Sequence, residues 1–65
     1  MTAKELDNAF TILDWSNREA GKYLGITDRT IHNYMQGKRA IPLSIEKFVK
    51  LHLKHKRAIA ILSLD

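Results

Sequence analysis

The sequence predicts an all-α fold: a compact bundle of four to five helices forming one domain over residues 1–65. Three observations predict it. Apolar residues recur at spacings of three and four, as at Leu6, Ala9, Phe10 and Leu13. Helix-start residues stand at Thr2, Ser16 and Thr27, and Gly25 and Gly37 stand where helices should stop. From the second of these starts onward, residues 17–36 read as two short helices joined by a tight turn.

The first element is a helix from about Ala3 to Leu13. Thr2 and Glu5 form a T-x-x-E capping box, in which each side chain satisfies a free backbone N–H. Its apolar stripe marks Phe10 and Leu13 as core, and Glu5 and Asp7 suit the positive end of the helix dipole. Residues 14–16 connect it to the second helix, over about Asn17 to Leu24. Ser16 and Glu19 repeat the capping box, with Trp15 and Ala20 at the staple positions, so Trp15 reads as a packing residue. Gly25 ends this helix by taking a positive φ. Gly21 lies inside it at a cost of about 1 kcal/mol relative to Ala. Close approach of the following helix accounts for that cost.

Ile26 points back into the angle between the helices, and Thr27 caps the third helix, Asp28 to about Gln36. Its inward face is Ile31, Tyr34 and Met35. Its outward face is Asp28, Arg29, His32, Asn33 and Gln36. After the Lys38–Ala40 loop, Pro42 pre-sets φ for a fourth helix reaching about Lys54. Ile41, Ile45, Phe48, Val49 and Leu53 mark its buried side. The tail, residues 55–65, is open to two readings. Its apolar run Ala58–Leu64 suits a fifth helix packed on the first, and β-branched Ile59 and Ile61 suit a strand pairing with a symmetry mate. Helix is the preferred reading, because Ala and Leu favour it. Either way the run should not stand in water.

Composition bounds the function. A chain of 65 residues buries only about 60% of its unfolded surface, so its core is compact or a partner chain helps. There is no cysteine, hence no disulfide and no thiolate site. No run approaches the ~18 apolar residues of a membrane span, and the polar start MTAKELDNAF is unlike a secretory signal, so a cytoplasmic protein is expected. The net charge is +4 and unevenly placed. Residues 1–28 carry three basic and five acidic residues, and residues 29–57 carry eight basic and one acidic. This suggests a basic face and a polyanionic partner. A soluble helical surface with unevenly spread lysines would read the same way.

Enzyme chemistry has little support. His52 and His55 are three apart on a helix, but no third ligand is evident, and neither a nucleophilic triad nor a phosphate loop is present. No metal, cofactor or small-molecule ligand is expected.

The stretch NREAGKYLGITDRTIHNYMQ, residues 17–36, resembles the helix-turn-helix of the Cro/C1 (XRE-like) family of phage and bacterial DNA-binding proteins. The resemblance is good over this stretch and looser from the first helix through the fourth. It implies that the third helix enters the major groove while the second braces it across the backbone. Aligned on Gly25, Ala20, Leu24, Ile26, Ile31 and Tyr34 fall on core positions, and small Gly21 falls where the family keeps a small residue. Thr27, Asp28, Arg29, His32, Asn33 and Gln36 fall on positions facing DNA bases. Arg29 is the first choice to read guanine, with a phosphate contact or a salt bridge to Asp28 as the alternatives. Asn33 or Gln36 suits adenine. Asp28 either accepts from cytosine or caps the helix and orients Arg29, and the second is preferred. Asn17, at the start of the second helix, suits a phosphate, with Arg18 and Lys22 assisting, and Lys38 and Arg39 look like backbone clamps. Lys54, Lys56 and Arg57 are weaker candidates for such clamps, with a plain solvated run as the alternative.

The function implied is a sequence-specific regulator of transcription, a repressor that occupies its promoter as a homodimer on an inverted repeat. Autorepressors of phage or mobile-element operons, including anti-CRISPR-associated ones, are of this kind, and the implied setting is the nucleoid of a bacterial or phage-infected cell. Ile59, Ile61, Leu62 and Leu64 are the expected dimer contact. The alternative is a protein-interaction module, such as the DNA-binding or adaptor part of an antitoxin system.

Overall fold

The computed structural model describes the backbone of residues 1–62 and the side chains of residues 1–59. All regular structure in this range is helical: α1 (Ala3–Leu13), α2 (Asn17–Leu24), α3 (Asp28–Met35) and α4 (Leu43–Leu62). None of these helices is long and apolar enough to cross a membrane.

Local chemistry sets the first three helices. Thr2 and Glu5 close their capping box, with the Glu5 carboxylate accepting the Thr2 N–H at 3.0 Å and the Thr2 hydroxyl accepting the Glu5 N–H at 3.1 Å. The Ser16 cap is half of a box. Its hydroxyl accepts the Glu19 N–H, but the Glu19 carboxylate takes the Ser16 hydroxyl at 3.1 Å instead of the backbone N–H. All three helices end in one device, a residue with left-handed φ: Asp14 at 59°, Gly25 at 70° and Gly37 at 70°. The next N–H then bonds a carbonyl five residues back: Trp15 to Phe10 at 2.9 Å, Ile26 to Gly21 at 3.0 Å, Lys38 to Asn33 at 3.0 Å.

The core is Leu6, Ala9, Phe10, Ala20, Ile31, Tyr34 and Val49. Leu6, Ile31 and Val49 come from three different helices and are fully buried, and burial stabilises each by roughly 1.5–3 kcal/mol. The main packing joins α1 to α4, α1 to α3, and α2 to α3. Trp15 packs at the rim, its ring 5.9 Å from Phe10, 4.8 Å from Tyr23 in a stack, and 5.0 Å edge-on from His52.

The fourth helix differs from expectation in two ways. It does not stop near Lys54 but continues through Leu62, so residues 55–62 are neither a strand nor a separate helix. No glycine or proline interrupts the chain there, and Ala58, Ala60 and Leu62 favour propagation. Phe48, expected in the core, is 41% exposed. It stands about 100° around the helix from Val49, and α1 is the helix packed most extensively against α4, so the buried arc is narrow. Phe48 packs instead on His52, ring to ring at 4.7 Å.

Lys56, expected as a clamp or a solvated cation, donates from its ammonium to the Ile12 carbonyl. α1 has no basic residue in its own last turn, and α4 supplies one to its negative end. At the other end of the pair, Glu46 accepts from the N-terminal ammonium at 2.9 Å and faces Lys50 at 3.7 Å.

These contacts predict an acid limb of stability. The bond to the N-terminal ammonium, aided by Lys50, holds Glu46 below the ordinary 4.5, and the Thr2 backbone N–H does the same for Glu5. A carboxylate whose pKa is lower folded than unfolded stabilises the fold above its unfolded value and loses that contribution as pH falls through its folded value. The melting temperature should therefore be level from pH 7 to about 5 and decline below 4.5. Glu46→Gln should flatten part of that decline in a series of thermal melts.

Candidate functional site

The site is built on the α2–turn–α3 unit. Gly21 is buried because the chain folds back directly over it. A Cβ placed there would lie 2.7 Å from the Ile26 carbonyl oxygen, 3.4 Å from an Asp28 carboxylate oxygen and 3.6 Å from Ile31 Cδ1. The close approach expected of the next helix is thus made first by the backbone of the turn. The Gly21 carbonyl also accepts the N–H groups of Gly25 and Ile26. Ile26 and Leu24 are half-buried, Ile31 and Tyr34 are buried, and α3 is locked by its inner face.

Its outer face carries Thr27, Asp28, Arg29, His32 and Gln36, all exposed, whereas Asn33 is half-buried at the edge. Thr27 is committed locally. Its hydroxyl oxygen lies 3.2 Å from the Thr30 N–H and 2.9 Å from the Thr30 hydroxyl. Thr27→Ala should cost about 1 kcal/mol in denaturant unfolding, and Thr27→Ser should restore it. Asp28 leans back toward Gly21, at the positive end of α3, and no ion pair joins it to Arg29. Arg29 is exposed, and among the described residues no carboxylate forms an ion pair with its guanidinium.

A shallow groove runs beside this face, lined by Ala3, Lys4, Asp7, Asn17, His32, Met35 and Gln36. It brings together three of the expected residues, Asn17 from the start of α2 with His32 and Gln36 from α3. It adds two that sequence reading missed, Lys4 and Asp7 of α1. Lys4 had a signal. It is a cation in the first turn of a helix, where the dipole disfavours it, so a partner should compensate. Asp7 works against an anion in the same groove.

Arg18 and Lys22 are exposed on α2 outside this groove, and Lys38 and Arg39 are exposed directly after the turn that ends α3. The Lys38 N–H is held by Asn33, which fixes the backbone from which both side chains project. Of the expected dimer contacts, Ile59 is 49% exposed. The side chains of Ile61 and Leu62, and Leu64 altogether, lie outside the described residues.

On α3 itself one cation, Arg29, stands beside the Asp28 carboxylate, and the further cations of this end, Lys38 and Arg39, follow the helix. Comparison with protein-family models, with curated proteins and with solved structures finds no match to this chain.

Proposed function

We propose that this chain is a sequence-specific double-stranded DNA-binding regulator of transcription of the Cro/C1 kind, a repressor that occupies its promoter. The reading places α3 in the major groove and two copies on an inverted repeat. The observation that carries it is the α2–α3 unit, where Gly21 admits the turn backbone at a distance no side chain would allow, with Arg29, His32 and Gln36 exposed on the far side of α3. Base edges in the major groove present paired donors and acceptors that such tips match. Lys4 and Asn17 flank the same face and suit phosphates, which fix register without reading sequence.

A second reading, a protein-contact module such as the adaptor part of an antitoxin, draws on the exposed Tyr23, Phe48 and Leu51. Selection of bound duplexes from a random DNA pool at two salt concentrations separates the two. An enriched inverted repeat with half-sites about one helical turn apart supports the repressor reading. Retention without a motif, lost steeply with salt, leaves a non-specific basic binder. No retention favours the protein-contact module.

A further inference from the structure

α4 is apolar on two sides. Val49, with half-buried Ile45 and Leu53, faces the core. A second row runs along the outer side. Phe48, Leu51, His55 and Ala58 are spaced three, four and three apart, and all four are exposed, Leu51 by 62%. Ser44 extends the row backward by four residues, and Leu62 extends it forward by four in the sequence. At about 100° per residue, Leu51 and Ala58 stand nearly opposite Val49. This is the spacing of a heptad seam, with Phe48 and His55 in one core position and Leu51 and Ala58 in the other. The row is continuous only because α4 does not end near Lys54.

We propose that a second copy of this chain docks along this row, with the two α4 helices parallel about a two-fold axis. The inference deepens the dimer of the proposed function and rests on that reading for its purpose, not for its physical argument. That argument has three parts. The row matches itself, which is what a two-fold contact between identical chains requires. The charges beside it choose the direction. Lys47 and Lys54 flank one side, and His52 and Ile59 flank the other. Antiparallel helices would set Lys47 against the partner's Lys54, ammonium to ammonium. Parallel helices set Lys47 beside the partner's His52 and Lys54 beside the partner's Ile59, so no lysine meets a lysine. Finally, the molecule is elongated, and α4, at 20 residues, is the longest of the described helices. The molecule measures 43 × 20 × 17 Å, and its radius of gyration of 12.3 Å exceeds the roughly 11 Å of a compact chain this long. Two heptads make a short seam, so the pairing is concentration dependent, and His55 opposite its counterpart fixes the register at some cost in affinity.

The absence of cysteine makes the test direct. Single variants Leu51→Cys, Ala58→Cys and, as control, Arg39→Cys are oxidised mildly without DNA and resolved by non-reducing electrophoresis. In a parallel seam identical positions face each other, so Leu51→Cys and Ala58→Cys should both cross-link and the control should not. Cross-linking at only one of the two indicates antiparallel pairing and overturns the proposal. Sedimentation equilibrium of the unmodified chain should show a monomer–dimer equilibrium, and Leu51→Glu should shift it to monomer with its helical circular dichroism intact. A monomer at every concentration rules out a second copy as the occupant. A dimer that selects no DNA would sink the repressor reading and leave this seam standing.

Discussion

Gly21→Val should abolish the cooperative unfolding transition altogether. The first atom of any side chain at this position would sit 2.7 Å from the Ile26 carbonyl oxygen, a separation that requires backbone to move. The turn cannot yield cheaply. Ile26 gives its own N–H to the Gly21 carbonyl, and Gly25 holds its left-handed φ to make that bond. Pushing the turn outward breaks the bond, tilts α3 and lifts Ile31 from the core. Gly21→Ala offers a graded version. Helix propensity returns about 1 kcal/mol, and overpacking costs about 1–3 kcal/mol. The net change should be destabilising, read as a lower urea midpoint. An alanine variant more stable than the parent would refute the packing argument.

Arg29→Ala should weaken binding to the selected operator by roughly 5- to 150-fold, the equivalent of the 1–3 kcal/mol that a paired contact to one base pair contributes. Binding to unrelated duplexes should change little, and discrimination at one position of the half-site should relax. Lys38→Ala gives the contrasting signature of a backbone contact. Affinity should fall alike on all sequences, and the dependence on salt should flatten by about one ion. Both residues are exposed, so neither variant should alter the melting temperature appreciably. Titrations at three salt concentrations on operator and non-operator duplexes would distinguish the two, and equal losses on both duplexes for Arg29→Ala would remove it from base reading.

The helices were legible where their ends are written locally. Thr2, Ser16 and Thr27 are caps, and Gly25 and Gly37 stops, whose partners lie within five residues. The inward faces of α1 and α3 followed from spacing alone. What escaped the sequence depends on distant segments. The length of α4 was ambiguous because Ala58–Leu64 is apolar but for Ser63, and a run without periodicity does not say which face is buried. Phe48 was placed inside because spacing does not reveal how many helices lie against α4. The contact of Lys56 with Ile12 spans 44 residues. At the candidate site, the outward face of α3 was legible from its polar tips, while Lys4 was not, because only packing brings the first turn of α1 beside Asn17 and His32.

The strong contacts of α1 with both α3 and α4 have a mechanical consequence. α1 acts as a keel, clamped to α4 at both ends by the ammonium bonds of Glu46 and Lys56. In the proposed dimer, a load on α4 reaches α3 through the core that Leu6, Ala9 and Phe10 share with Ile31, Tyr34 and Val49. The gauge between two such domains is then set by the stiffness of this one strut. Under the proposed reading, a cavity opened at Phe10 would blur the spacing between half-sites before it altered any exposed residue of α3.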